Sequence, residues 1–245
     1  MTRSRDDGAT WDEPQRPFAG VYGTIVSAIQ TSSGHVVVPI QIALSEPGRW
    51  GMYVFISADE GRTWSRSNLI DLGGSGHHDG AIEATLAELS DARILMLIRT
   101  GLDRFWEAYS EDHGYNWREL RPSQLDAAAA PGYMRRLASG RLVLVWNRLS
   151  PEGGPTPTKS APSAAYYNGV RSQPSELAMS YSDDDAKHWA PAVVIARQSK
   201  GSLSYPFVLE RGAGELWIWT RYGTAPPVYL SLAERDLTDG LKRAP

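Results

Sequence analysis

The chain has 245 residues, a formal net charge of −3 and a pI near 6.0. That is enough to bury one sizeable core, while the scattered Lys and Arg offer no basic run to follow a phosphate backbone, which argues against nucleic acid as the main partner. Cysteine is absent, excluding disulfides and thiolate metal sites, and no apolar run approaches the roughly 20 residues that cross a bilayer.

In chain order, a polar start that is not a secretory leader runs into Ser4-Arg-Asp6-Asp-Gly8-Ala-Thr10-Trp11. Strand-like runs follow at Thr24 to Gln30, His35 to Ile42 and Gly51 to Ile56. Next come Ser57-Ala-Asp59-Glu-Gly61-Arg-Thr63-Trp64 and a run from Trp64 to Ile70. Ile82 to Glu88, Arg93 to Thr100 and Arg104 to Tyr109 lead to Ser110-Glu-Asp112-His-Gly114-Tyr-Asn116-Trp117. Gly132 to Leu137, Arg141 to Asn147 and Glu176 to Tyr181 lead to Ser182-Asp-Asp184-Asp-Ala186-Lys-His188-Trp189, followed by Trp189 to Ala196. Within that stretch, residues 149–173 are rich in Pro, Gly and Ser and read as a long insertion loop. The last runs, Ser204 to Arg211, Glu215 to Arg221 and Val228 to Ala233, form a three-strand set without a closing motif.

The four motifs share the form Ser-x-Asp-x-Gly-x-Thr-Trp, and their serines stand 53, 53 and 72 residues apart. Repetition at such a period marks a propeller or solenoid, and about four strands per interval is the content of one blade. The motif is a hairpin turn. Its Asp accepts backbone N–H groups, its Gly takes a positive φ, and its Trp fills space between sheets. Asp6, Asp59, Asp112 and Asp184 are therefore turn residues before they are catalytic candidates. Nine Trp and 11 Tyr against 4 Phe suit blade cores and sugar-binding surfaces alike.

Glu83 stands in an otherwise apolar strand, where an inward Glu is paired or functional. Arg99 ends the next strand, Tyr205 precedes Pro206 at the opening of the last set, and Arg171 lies in the insertion, with Arg148 and Arg221 as alternatives to it. His77 and His78 are adjacent, so a strand would send them to opposite faces. They make a poor ligand pair and read as loop residues lining a central cleft with Asp79. No metal or cofactor is expected.

The repeats and the segments between them resemble the sialidase (neuraminidase) superfamily of six-bladed Asp-box propellers. The resemblance rests on Gly20-Val-Tyr-Gly23 with Gly34-His-Val-Val-Val-Pro39-Ile-Gln41, on Ile82-Glu83 followed by Arg93 to Arg99, and on Ser204-Tyr205-Pro206. It implies an all-β propeller over 1–245, here about four blades plus part of another, that lacks roughly the first two blades. It implies an exo-acting, retaining glycosidase for terminal sialic acid or a related acidic sugar. Tyr205 would be the nucleophile, Glu83 the carboxylate that takes its proton, and Arg99 and Arg171 clamps for the substrate carboxylate. The family's first arginine and general-acid Asp fall upstream on this alignment. Asp79 is the nearest local substitute, and impaired turnover is expected. A non-catalytic carbohydrate-binding propeller and another glycosidase or lyase on the same scaffold remain alternatives. Exposed blade faces also predict self-association.

Overall fold

Short runs of β-branched and aliphatic residues separated by turn residues favour antiparallel meanders, and the computed structural model contains four of them. It describes residues 2–14, 23–44, 48–76, 79–149, 175–198, 202–220 and 227–238. The first sheet comprises β1 (Ile29–Gln30), β2 (Val36–Leu44), β3 (Arg49–Ser57) and β4 (Ser65–Arg66). The second comprises β5 (Ile82–Glu88), β6 (Ile94–Arg99), β7 (Arg104–Ser110) and β8 (Arg118–Asp126). The third comprises β9 (Tyr133–Arg136), β10 (Leu142–Trp146), β11 (Glu176–Ser182) and β12 (Val193–Arg197). The fourth has three strands, β13 (Pro206–Gly212), β14 (Glu215–Thr220) and β15 (Val228–Ala233), and is followed by the short helix α1 (Glu234–Thr238).

The first strands meet: β1 touches β5, β5 touches β9 and β9 touches β13. They line a common axis from which the sheets fan outward as propeller blades. The core lies between blades. Val37 and Val54 of the first blade pack with Leu86 and Met96 of the second. Leu95 and Phe105 pack with Leu142 and Trp146, and Val143 and Leu177 with Val208 and Ile218. Each such buried side chain contributes about 1.5–3 kcal/mol relative to an exposed one.

The repeated motif joins the third and fourth strands of each of the first three blades. In the third copy the Ser110 hydroxyl donates to Asp112 Oδ1 (2.9 Å) and accepts from Gly114 N (2.8 Å). Asp112 also accepts from Asn116 N (2.8 Å) and Nδ2 (2.7 Å), and Trp117 Nε1 donates to the Gly114 carbonyl (2.8 Å). Equivalent Ser, Gly and residue-eight-minus-one bonds recur in the other three copies. The turn needs two successive left-handed residues: His113 and Gly114 sit at φ 62° and 98°, while the fourth copy places Ala186 at 64° where the others have Gly.

A second repeat was not anticipated. At the same end of the blades, the hairpin between first and second strands bonds to a carboxylate on the next blade. Ser32 N and Oγ donate to Glu88 (2.7 and 2.8 Å), and Ala138 N donates to Glu210 (2.8 Å). Glu88, Arg136 and Glu210 hold equivalent register positions, opposite Ile94, Leu142 and Leu216. At the middle joint, where that position is Arg136, Ser90 instead donates to Asp185, which Arg136 Nη1 holds at 2.7 Å.

Several elements differ from expectation: of the run Thr24 to Gln30 only Ile29–Gln30 is strand, the run Trp189 to Ala196 begins as strand only at Val193, and the helix α1 was not expected. The strand expected over Trp64 to Ile70 is paired only at Ser65–Arg66, because the Ser67 hydroxyl takes the Val54 N–H (2.9 Å) that a carbonyl would otherwise accept; pairing resumes between Ile70 and Met52. Strand β8 is an addition. Its sequence, RELRPSQLD, looks polar and proline-broken, yet an outermost strand tolerates Pro122 because it pairs on one side only. Residues 150–173 of the insertion, with Arg171, lie outside the described residues, as do Gly20, Val21, Tyr22, His77, His78 and Arg221.

Candidate active site

Strict alternation would commit Glu83 to the interior between blades. Instead the β5–β6 register shifts between Ile82 and Ala84: Ile82 faces Arg99, Ala84 faces Ile98, and Glu83 is left over as a bulge. Its φ of 39° is left-handed, a conformation that costs a non-glycine residue about 1–2 kcal/mol. The bulge re-aims the side chain along the axis. The freed Glu83 N–H donates to Gln41 Oε1 of the first blade (3.1 Å).

Tyr205 sits at the mouth of β13, also left-handed at φ 59°. Buried polar side chains hold the backbone before it. Thr220 Oγ1 donates to the Ser204 carbonyl, and Asn147 Nδ2 donates to the Leu203 carbonyl (3.3 Å). The Ser202 and Ser204 hydroxyls lie 2.6 Å apart. Backbone strain of this kind persists only where surroundings over-determine it, and it concentrates at functional sites.

These two strained positions converge. The Tyr205 hydroxyl donates to Glu83 Oε1 at 2.9 Å. Arg99, the last residue of β6, donates through Nη1 to Glu83 Oε2 and to the Tyr205 hydroxyl (3.4 Å). Glu83 and Arg99 form an ion pair and are 5% and 7% exposed. Burial and then the charge of Glu83 push the Tyr205 phenol up to about 12, with Arg99 opposing. Burial alone would lower the Arg99 guanidinium, but the charge of Glu83 together with Tyr205 and the hydrogen bonds to both raise it overall. At neutral pH the phenol is therefore protonated, with its hydroxyl directed at the Glu83 carboxyl group.

The structure thus brings together three of the four residues singled out from the sequence; Arg171 lies outside the described residues. Asp79 is occupied, since its Oδ2 accepts from Ser75 N (2.9 Å) and its Oδ1 from Gly80 N (3.0 Å). Arg148 donates through Nη2 to the buried Glu176 (2.8 Å), which Arg197 also contacts at 3.2 Å. The sequence reading missed Glu176, Gln41, Thr220 and Asn147. The one visible signal was Gln41, a polar residue on the row Val37–Pro39–Gln41 whose first member is core. Among the described residues no group of three or more His, Asp or Glu could hold a metal ion, and no described helix is long and apolar enough to cross a membrane.

Comparison with known proteins agrees with this architecture. A protein of unknown function from Dyadobacter fermentans superposes with a TM-score of 0.68 at 17% identity, over 94% of this chain and 62% of that one. The NanB sialidase of Streptococcus pneumoniae gives 0.66 at 18% identity, over 96% and 35%. An α-L-arabinofuranosidase of Fusarium graminearum gives 0.54 at 16% identity, over 84% and 60%. The chain spans less than two thirds of each of these structures, and identities this low speak for the fold alone. No curated protein matches. The profile of the BNR repeat-like domain matches residues 1–218: the chain belongs to that family, and its fold is the sialidase-like β-propeller.

Proposed function

We propose that the domain is a retaining glycoside hydrolase acting on a terminal carboxylated sugar such as sialic acid. The observation that supports this reading is the 2.9 Å hydrogen bond from the Tyr205 hydroxyl to Glu83, with Arg99 on both partners, assembled from residues 122 and 106 positions apart. In this reading the Tyr205 oxygen attacks the anomeric carbon as its proton passes to Glu83 Oε1, and the bond to the aglycone breaks. Water then displaces the tyrosyl oxygen from the anomeric carbon, Glu83 returns its proton to the phenol, the water's proton passes to the group that protonated the leaving oxygen, and the sugar is released with retention. A neutral phenol backed by a base suits a substrate whose own carboxylate would repel an Asp or Glu nucleophile. Arg99 has donor capacity to spare, because its buried Nε meets no acceptor among the described residues. Arg171 would supply the second guanidinium. The group that protonates the leaving oxygen is none of these four.

Turnover of a fluorogenic sialoside tests the reading. Tyr205→Phe and Glu83→Gln should each lose about 10²–10⁴-fold in kcat, the usual worth of a positioned proton acceptor and its nucleophile. Turnover of arabinofuranosides alone would identify a different glycosidase on this scaffold. Binding without turnover, unchanged in Tyr205→Phe, would identify a carbohydrate-binding propeller.

We also infer that the fourth blade pairs with a second copy of the chain. Phe207, Leu209, Trp217, Trp219 and Tyr229 share one face by register, with Tyr229 73% and Trp217 40% exposed. The corresponding faces of the second and third blades are each covered by the next blade. Sedimentation should show concentration-dependent association that Trp217→Lys abolishes; a monomer at all concentrations would refute it.

A further inference from the structure

Gly23 and the Gly34–Gln41 segment stand in the motifs of the sequence, yet nothing in the chemistry above uses them. Their placement supplies a role. Gln41 lies on β2 and is 6% exposed. Residues i, i+2 and i+4 of a strand share a face, so Gln41 continues the row begun by Val37, which packs into the core between the first and second blades. An apolar side chain would serve that packing better. The amide is there because the bulge across the seam has withdrawn Glu83 from its ladder, and Gln41 Oε1 takes the N–H that the ladder no longer satisfies. A buried N–H without an acceptor is costly enough to return the chain to regular pairing, and regular pairing would turn Glu83 away from Tyr205. Gly23 completes the arrangement. Its N–H donates to the Gln41 carbonyl (3.0 Å), and an added Cβ at this position would collide with the Gln41 side-chain amide. The glycine is thus a ceiling that fixes where the amide can lie.

We propose that Gln41, held under Gly23, is a positioning residue that maintains the Glu83 bulge and through it the hydrogen bond from Tyr205 to Glu83. The link to rate rests on the reading of Tyr205 and Glu83 as the reacting pair; the link to geometry does not. Gln41 touches Glu83 from the blade behind it and acts by setting the backbone, which distinguishes it from residues that meet a sugar.

The test uses the full chain with a ring-fluorinated tyrosine at position 205 alone. The fluorine lowers the phenol's own pKa, which brings its titration into a range where the chain stays folded, and the fluorine signal reports it. Gln41→Leu should lower the Tyr205 midpoint by about half a pH unit or more, because a phenol that no longer donates to a nearby carboxylate ionises more readily. Amide exchange at Glu83 should quicken about tenfold. Gly23→Ala should do the same by displacing the amide, and it carries the test if Gln41→Leu does not fold. Val37→Ala, in the same row but remote from the Glu83 N–H, should lower the melting temperature while leaving both signals in place. An unmoved midpoint in folded Gln41→Leu or Gly23→Ala would overturn the proposal, as would an equal shift in Val37→Ala. Where a glycoside is turned over, Gln41→Leu should lower kcat with little change in KM. Where none is, the titration and exchange still decide the role of Gln41, so failure of the hydrolase reading and failure of this one give different results.

Discussion

At the end of the blades remote from the cleft, one eight-residue turn recurs with the same internal bonds whether its tryptophan is 5% exposed, as Trp117 is, or 62% exposed, as Trp11 is. At the cleft end no two blades present the same residues: Glu83 and Arg99 come from the second, Asn147 and Glu176 from the third, Tyr205 and Thr220 from the fourth. At the first end each turn closes its own Ser, Asp and Trp hydrogen bonds, and carboxylates add bonds between blades. The second has left-handed Glu83 and Tyr205 and a buried ion pair, all held by side chains from other strands. Repetition gives the scaffold one turn used four times, whereas the candidate site lies where repetition stops.

The comparison can be broken first at the cleft. Arg99→Met strands the Glu83 charge in a buried setting and should cost about 3–5 kcal/mol in urea unfolding, with much of the loss recovered when Glu83→Gln is added. At the other end, Trp117→Ala should cost about 3–5 kcal/mol through the cavity it leaves between the first two blades. Trp11→Ala, in the same turn, should stay within about 0.5 kcal/mol. Equal losses for the two tryptophans would mean that the turn, not its packing, carries the energy.

A smaller effect is expected with pH. The His35 ring stacks on His113 (4.3 Å between centroids), with Ser33 on its Nδ1 and Tyr115 at its edge. Burial, then the neighbouring His113, lowers the His35 pKa from 6.5. The unfolded chain therefore binds this proton more readily, so stability falls as pH drops below 6.5, and His35→Gln should flatten that slope in thermal melts. Asp184 titrates near 2, lowered chiefly by the His188 N–H, so its contribution is present above the ordinary carboxylate range and is lost as pH falls towards 2. The smallest change is expected from Ala186→Gly. Relief of a left-handed alanine and the greater freedom of an unfolded glycine oppose each other at about 1 kcal/mol each, and the melting temperature should barely move.

The architecture was legible because each turn motif names its own ends: Ser, Asp, Gly and Trp at fixed offsets mark the hairpin from third to fourth strand. Glu83, Arg99 and Tyr205 were legible through spacing and family likeness. Their conformations were not, since neither Glu nor Tyr signals a left-handed backbone as Gly does. Strand β8 was hidden by Pro122 and its charges, which matter little on an edge. Gln41 and the carboxylates at Glu88, Asp185 and Glu210 act across blade boundaries, over separations at which one chain's residues carry no pairing signal.

Those cross-blade carboxylates bear on how successive blades are joined. The turns are interchangeable, and if they alone joined neighbours, any blade could follow any other. The joints differ: two place the acceptor on the incoming first strand, and the middle one inverts that position to Arg136 and moves the acceptor to Asp185. A second blade grafted into the third position would remove Arg136 and Asp185 together and offer Glu88 to the Ser90 hairpin, the arrangement already present between Ser32 and Glu88. Acceptor and support thus travel with the incoming blade, and a shuffled blade of this chain would bring its own notch to the hairpin before it.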